Sequence, residues 1–300
     1  MSNKEVLQKV ARHPPAAVVN PTTAVSDTLL KLREKGVRHA LVGDEENKLI
    51  GIVSAKDLLS YLGGGHLYRV IEEKFKGNVA EALKAPISSI MKPKPFSIKV
   101  TESLADAINL MFSHDIGVLP ILDEDGRIWG VLSERHIFRL LTDHRAFVTV
   151  SEIMSKPVIT AKPDTTVLEI MKTCIANDVR RIPILSEGKL SGILTIKDCI
   201  RYLAQSIDKL LKGAYGEVMA TKAQQLASKP VYTITPDADI VEAVKAMNQH
   251  NIGCLPVVER DQLVGILTER DFLTKLPKIK GVEYIVDTVR NAIIVGRVWF

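Results

Sequence analysis

The residues best placed for chemistry in this sequence are hydroxyls paired with an acid three positions on, each pair just downstream of a glycine. The string returns four times: Gly51-Ile-Val-Ser-Ala-Lys-Asp57, Gly130-Val-Leu-Ser-Glu-Arg-His136, Gly192-Ile-Leu-Thr-Ile-Lys-Asp198 and Gly265-Ile-Leu-Thr-Glu-Arg-Asp271. Asp57, Asp198 and Asp271 are carboxylates able to accept from two adjacent hydroxyls, such as those of a sugar ring. Ser54, Thr195 and Thr268 lie where a strand should give way to a helix, and a hydroxyl beside free helix N–H groups suits a phosphate oxygen. The same spacing also makes a helix N-cap with an acid at its third position, and the two readings can hold together. The second copy departs from the pattern: it keeps Ser133 but has His136, and a neutral imidazole offers a single acceptor.

Basic residues distinguish the copies further. Upstream of the odd copies stand Arg38-His39 and Arg180-Arg181; the even copies have Gly117-Val118 and Gly253-Cys254 there. Guanidinium matches phosphate bidentately, so the odd copies are expected to supply charge to an anion while the even glycines leave room. Arg180 and Arg181 are the best such pair.

The elements that must carry these residues are legible from periodicity. The four glycines are 79, 62 and 73 residues apart, so the repeats are expected to group in consecutive pairs. About a dozen residues before each glycine string begins an apolar strand: Val37–Val42, Ile116–Ile121, Val179–Ile184 and Ile252–Val257. Polar turns such as Asp123-Glu-Asp-Gly126 join the two into a hairpin. Before each hairpin, apolar residues recur at i, i+3, i+4 and i+7, as in Val167, Ile170, Met171 and Cys174, which predicts one helix per repeat. Short strands are expected ahead of these helices at Ala17–Val19, Phe96–Ile98, Val158–Thr160 and Val231–Thr233. A second helix follows each glycine string. Each unit therefore reads β-α-β-β-α, an α/β architecture too small to be comfortable alone. The linkers Gly63–Lys84 and Ala204–Gln225 read as helical. The segment Gly281–Phe300 either adds a strand or covers apolar surface.

Composition bounds the function class. The chain has 300 residues, 46% hydrophobic and 25% charged, with net charge +5, an ordinary globular balance with a weak preference for anions. Three cysteines without C-x-x-C spacing argue against a disulfide framework or thiolate zinc site and for a reducing compartment, taken as the cytoplasm. Met1–Pro15 lacks the apolar core of a signal peptide, and no apolar run approaches a membrane span. Gly63-Gly-Gly65 has no Lys-Ser/Thr after it and is not a P-loop. The seven histidines, His144 among them, show no metal-ligand spacing, and no metal is expected.

The fourfold glycine string, the proline-bearing hairpin strand (Pro120, Pro183, Pro256) and the short strand before the first helix together resemble the CBS-domain family, from about Val6 to Leu276. The resemblance implies four CBS repeats, at 1–66, 85–145, 148–210 and 224–278 with a tail at 281–300. It further implies two modules stacked as a disk, a plan similar to the γ regulatory subunit of AMP-activated kinases. Implied ligands carry adenosine: AMP, ADP or ATP. Adenine slots would form from Ile159-Thr160 with Ile182-Pro183 and from Tyr232-Thr233 with Leu255-Pro256, and the strand hydroxyls Thr160, Thr233 and Ser97 would line them. The motif neighbours Ser133, Arg135, Lys197 and Arg270 complete the candidate set. Binding is expected to be best in the stretch from Val150 to Leu276, with Asp198→Ala and Asp271→Ala more damaging than His136→Ala. The expected activity is non-enzymatic sensing, read by an unidentified effector protein, in a monomer or homodimer. A nucleic-acid or transcription-linked regulator, a nucleotide-hydrolysing enzyme, and a binder of S-adenosylmethionine or NAD remain open alternatives.

Overall fold

The computed structural model describes residues 3–141 and 146–296, the side chains from residue 5 onward; His144 and the segment Val298-Trp299-Phe300 lie outside this range. Every expected hairpin and helix forms. The hairpins pair His39–Gly43 with Leu49–Ser54, Val118–Leu122 with Ile128–Ser133, Arg181–Ser186 with Lys189–Thr195, and Cys254–Glu259 with Gln262–Thr268. The first helices run over Val25–Lys35, Leu104–Ser113, Val167–Ala176 and Ile240–Gln249. Three of them open on a side-chain cap, from Ser103, Thr166 or Asp239. The residue just beyond each helix, or one further on, is left-handed: Gly36, Asp115, Asp178 and Asn251, the residue types that tolerate this conformation.

The short first strands differ from expectation. They form in repeats one and two, at Val18–Val19 and Ile98–Lys99. In repeats three and four each shrinks to a single bridge one residue downstream, Ala161 to Ile184 and Ile234 to Val257. Proline limits the pairing on its upstream side. In repeat one the Leu41 N–H donates to the Ala17 carbonyl at 3.0 Å and extends the pairing upstream. The equivalent positions in the other repeats are Pro120, Pro183 and Pro256, which have no N–H to give, and there the pairing begins one residue later, at Ile98, Ala161 and Ile234.

The chain folds into two compact units that interleave along the sequence. Unit 1 comprises residues 1–15, 96–158 and 232–300; unit 2 comprises 16–95 and 159–231. Repeats two and four thus share one core and repeats one and three the other. The reason lies in the helices. In unit 2, Leu29, Leu58, Leu59 and Leu62 of repeat one are buried in one cluster with Met171, Cys174, Cys199 and Leu203 of repeat three. In unit 1, Phe138 of repeat two meets Phe272 of repeat four edge-on, ring centroids 4.9 Å apart. The linkers are helical as expected, and Ile71, Leu83, Leu210 and Met219 join the unit 2 core. Among the described residues the C-terminal segment is the helix Val282–Ile294, which buries Ile285, Val286 and Val289 in unit 1.

Consecutive repeats are nonetheless tied by exchanged strand segments. Arg12, which leads into the first strand of repeat one, bridges Val131 of repeat two, with backbone bonds of 2.9 and 3.0 Å. Reciprocally, Lys92-Pro93, which leads into the first strand of repeat two, pairs with Gly51-Ile52 of repeat one. Ser155 with Ile266, and Ser228 with Ile193, repeat the exchange for repeats four and three. This crossing accounts for the recurring glycine. A Cβ on Gly130 would stand 2.8 Å from the Arg12 carbonyl oxygen, one on Gly51 would meet Met91 and Lys92, and one on Gly192 would meet Ala227. Each glycine leaves room for the segment that crosses its strand.

Candidate functional site

The strand-to-helix junction fixes the three acids. The hydroxyl residue ends the hairpin and caps the helix that follows: Ser54 for Ala55–Leu62, Thr195 for Ile196–Gln205, Thr268 for Glu269–Thr274. Oδ2 of Asp57 accepts from the Ser54 N–H at 2.8 Å and its hydroxyl at 2.6 Å. The same oxygen of Asp198 accepts from Thr195 at 2.8 and 2.7 Å, and that of Asp271 from Thr268 at 2.7 and 2.8 Å. The capping reading therefore holds in all three, and the acids are almost fully buried. One carboxylate oxygen is consumed by the cap; the other, Oδ1, is where the repeats differ.

Asp57 Oδ1 is faced by Lys92 Nζ at 3.5 Å, from a side chain 68% exposed. Asp198 Oδ1 takes Nη2 of Arg201 at 2.6 Å, from a side chain 53% exposed. Asp271 Oδ1 is held twice, by Ser155 Oγ and by Lys275 Nζ, both at 2.8 Å, and Lys275 also donates to the Met154 carbonyl and Ser155 Oγ. Exposed ion pairs are weak and readily exchanged, whereas the Asp271 oxygen is closed by a bonded network. The structure thus separates Asp271, in unit 1, from Asp57 and Asp198, in unit 2.

Unit 2 also gathers positive charge. Arg38 and Arg180 precede the two hairpins at equivalent places, and their carbonyls receive the N–H groups of Ala55 and Ile196. His39 lies against this charge. Burial, and then the Arg38, Arg180 and Lys92 cations, hold its pKa well below the ordinary histidine value. The imidazole is therefore neutral at pH 7, amid three cations contributed by repeat one, repeat three and the crossing segment. Such a convergence attracts anions. Arg181 opens the hairpin strand beside Arg180, half-buried.

The remaining expected residues are placed less uniformly. Thr160 and Thr233 are exposed and lie outside the strand pairing, and Ser97 is half-buried. Pro183 and Pro256 are buried within their hairpins. Tyr232, assigned to an adenine slot, stacks on His250 with centroids 3.6 Å apart, and Phe96 stacks on His114 in the same way in repeat two. Lys197 is exposed, and Ser133 caps without a side-chain bond. Arg270 pairs with Asp115, while Arg135 pairs with Glu269 at 2.6 Å and with Asn251 Oδ1 at 2.7 Å. These two arginines join the even repeats within unit 1.

Several residues of the site escape sequence reading. Arg201 and Lys275 lie three and four residues after their acids, so helical spacing alone could have found them. Lys92 and Ser155 arrive on segments that cross between repeats, for which the sequence carries no local signal. Glu134 and Glu269, buried at 2% and 1% exposure, look in the sequence like ordinary first-turn acids. Among the described residues no cluster of His, Cys, Asp and Glu could hold a metal, and no helix is long and apolar enough to cross a membrane.

Comparison with known proteins places this geometry. The CBS-domain model matches residues 7–64, 87–143, 150–205 and 223–278. A 33.4 kDa protein encoded in a ribosomal RNA operon of Thermofilum pendens is 38% identical over 293 residues, 97% of this chain and 98% of the relative. Protein MJ1225 of Methanocaldococcus jannaschii is 27% identical and covers 89% of this chain. Its crystal structure, described as that of a candidate archaeal homologue of γ-AMPK, superposes with a TM-score of 0.82 over 89% of this chain and 98% of that one. With four matched segments spanning most of its length, the chain belongs to the CBS-domain family.

Proposed function

We propose that this chain is a non-enzymatic adenine-nucleotide sensor whose principal binding residues lie in unit 2. One observation carries the reading. Asp57 and Asp198 each have one oxygen fixed by a helix cap and the other covered by an exposed cation, beside the Arg38, His39, Lys92 and Arg180 cluster. An arriving ribose would take Oδ1 with its hydroxyls. The displaced Lys92 or Arg201 would then be available to the phosphates. The covering cation thus changes partner rather than being stranded, which keeps the exchange near balance. The likeness to MJ1225, described as a γ-AMPK homologue candidate, supports a regulatory rather than a catalytic role.

In this reading AMP, ADP or ATP binds and shifts the packing of repeats, and an effector protein in the cytoplasm responds; a monomer or homodimer would serve equally. Regulation requires that the two packings differ in nucleotide affinity. The repeats at 1–66, 85–145, 148–210 and 224–278 are the structural currency of that shift. Calorimetric titration with AMP, ADP and ATP tests the proposal directly, beside the Arg180→Ala, Arg181→Ala double variant. Saturable binding that weakens at least tenfold in the variant supports it. Absence of binding by all three nucleotides, or full affinity without both arginines, refutes it.

A further inference from the structure

Repeat two breaks the acid pattern, and the surroundings of the break are cationic. His136 stands where the other repeats carry aspartate, and its Nδ1 is buried without a hydrogen-bond partner. Burial, and then Arg139 and Arg12, lower the pKa of the ring, with Arg135 adding to them against the Val131 carbonyl. Arg12 is delivered by the crossing segment, its backbone pinned to Val131. Arg135 and Arg139 approach so closely that their Nη2 atoms share one acceptor, Oδ1 of Asn251, at 2.7 and 3.0 Å. The carboxylate that meets the group is Glu269, 2.6 Å from Arg135 Nη1. Arg135 and Arg139 thus crowd one amide oxygen, and an anion joining them would relieve the repulsion between the two guanidiniums.

We propose that Arg12, Arg135, Arg139 and His136 form a phosphoryl-anion site in unit 1 that needs no ribose. In the other repeats the acid would repel a phosphate at this place; here an imidazole stands instead, and the arginines present planar donor forks suited to tetrahedral oxyanions. Arg139 is exposed on the helix flank, so an anion can reach it from solvent. The ligand is either a free polyphosphate or the phosphate chain of a nucleotide, since the contacts are the same.

The test titrates the full chain with inorganic tripolyphosphate, ATP and adenosine. Two variants accompany the native protein. Arg12→Gln with Arg139→Gln removes two forks and leaves the backbone bonds of Arg12 in place. His136→Asp restores the acid that the other three repeats hold in the same capped geometry, so folding is preserved. Tripolyphosphate is expected to bind saturably to the native chain and at least tenfold more weakly to either variant. An equal loss for ATP in His136→Asp identifies the phosphate chain as sufficient whatever it is attached to. The proposal is overturned if tripolyphosphate does not bind, if both variants bind it like the native chain, or if His136→Asp strengthens ATP binding, which would make the position a ribose site.

Discussion

Replacing Asp198 with asparagine separates the two tasks of that carboxylate. The amide oxygen can still accept from the Thr195 N–H, which donates at 2.8 Å in the native chain, so the helix Ile196–Gln205 keeps its cap. What is lost in stability is the charge at the helix start, about 0.5 kcal/mol, or a melting shift of roughly 1 °C for a chain of this size. The other atom of the side chain changes more. Oδ1 becomes an NH2 group, which cannot accept from ribose hydroxyls and no longer attracts Arg201. Charge-assisted hydrogen bonds contribute about 1.5–3 kcal/mol each, and displacing the exposed Arg201 returns up to ~1 kcal/mol of that. A net loss near 2 kcal/mol corresponds to roughly thirty-fold weaker binding. Calorimetry with AMP and a thermal melt read the two quantities separately. Affinity within about twofold of native, at an unchanged melting temperature, would show that the carboxylate is only a cap. Asp198→Ala, by contrast, should lose both binding and a further ~1 kcal/mol of cap stability.

Lys275→Met removes the ammonium that closes Asp271, and should add nucleotide binding in unit 1 or strengthen what is there; an unchanged binding isotherm counts against Asp271 as a latent site. Gly130→Ala should destabilise the chain by about 1–3 kcal/mol, because the new methyl meets the Arg12 backbone rather than a movable side chain, and a urea midpoint equal to native would contradict the crossing-segment account. Acid should weaken the fold. His39 and His136 are held neutral, the latter with its pKa lowered to about 4 by burial and by Arg139, Arg12 and Arg135. Between pH 6.5 and 4 the unfolded chain therefore binds more protons than the folded one, and stability falls as pH falls through that window. Urea midpoints measured across it should drop, and His136→Asn should flatten the slope.

The local grammar of each repeat was legible because it is written in short-range pattern. Helical spacing at Val167–Cys174, the turn at Ser186–Gly188 and the Ser54–Asp57 cap all depend on neighbours within a few residues, and all stand in the structure. Which repeats share a core was not legible. Leu58, Leu59 and Leu62 would serve equally against repeat two or repeat three as far as periodicity goes, and only shape complementarity chooses between them. The candidate acids were found by type and spacing, but their inequality was not. It arises from Ser155 and Lys275 on one side and from exposed Lys92 and Arg201 on the other, two of which arrive on crossing segments. The glycine string held a trace of that crossing, since a glycine that a strand does not need for its own turn points to another backbone passing close by.

The interleaving of the chain has a genetic consequence. Because it passes from one unit to the other four times, no single cut yields either unit whole. A gene divided between repeats two and three would encode two halves, each holding half of both cores with the apolar faces open. Those halves should be insoluble when made separately and should complement one another when made together. Trimming the first fifteen residues would be felt far from the cut: it strips Val6, Leu7 and Val10 from the core shared by repeats two and four, while the repeat those residues introduce belongs to the other unit. Insertions, deletions and fusions at the start of this chain therefore act on the part of the molecule built mainly from its middle and its end.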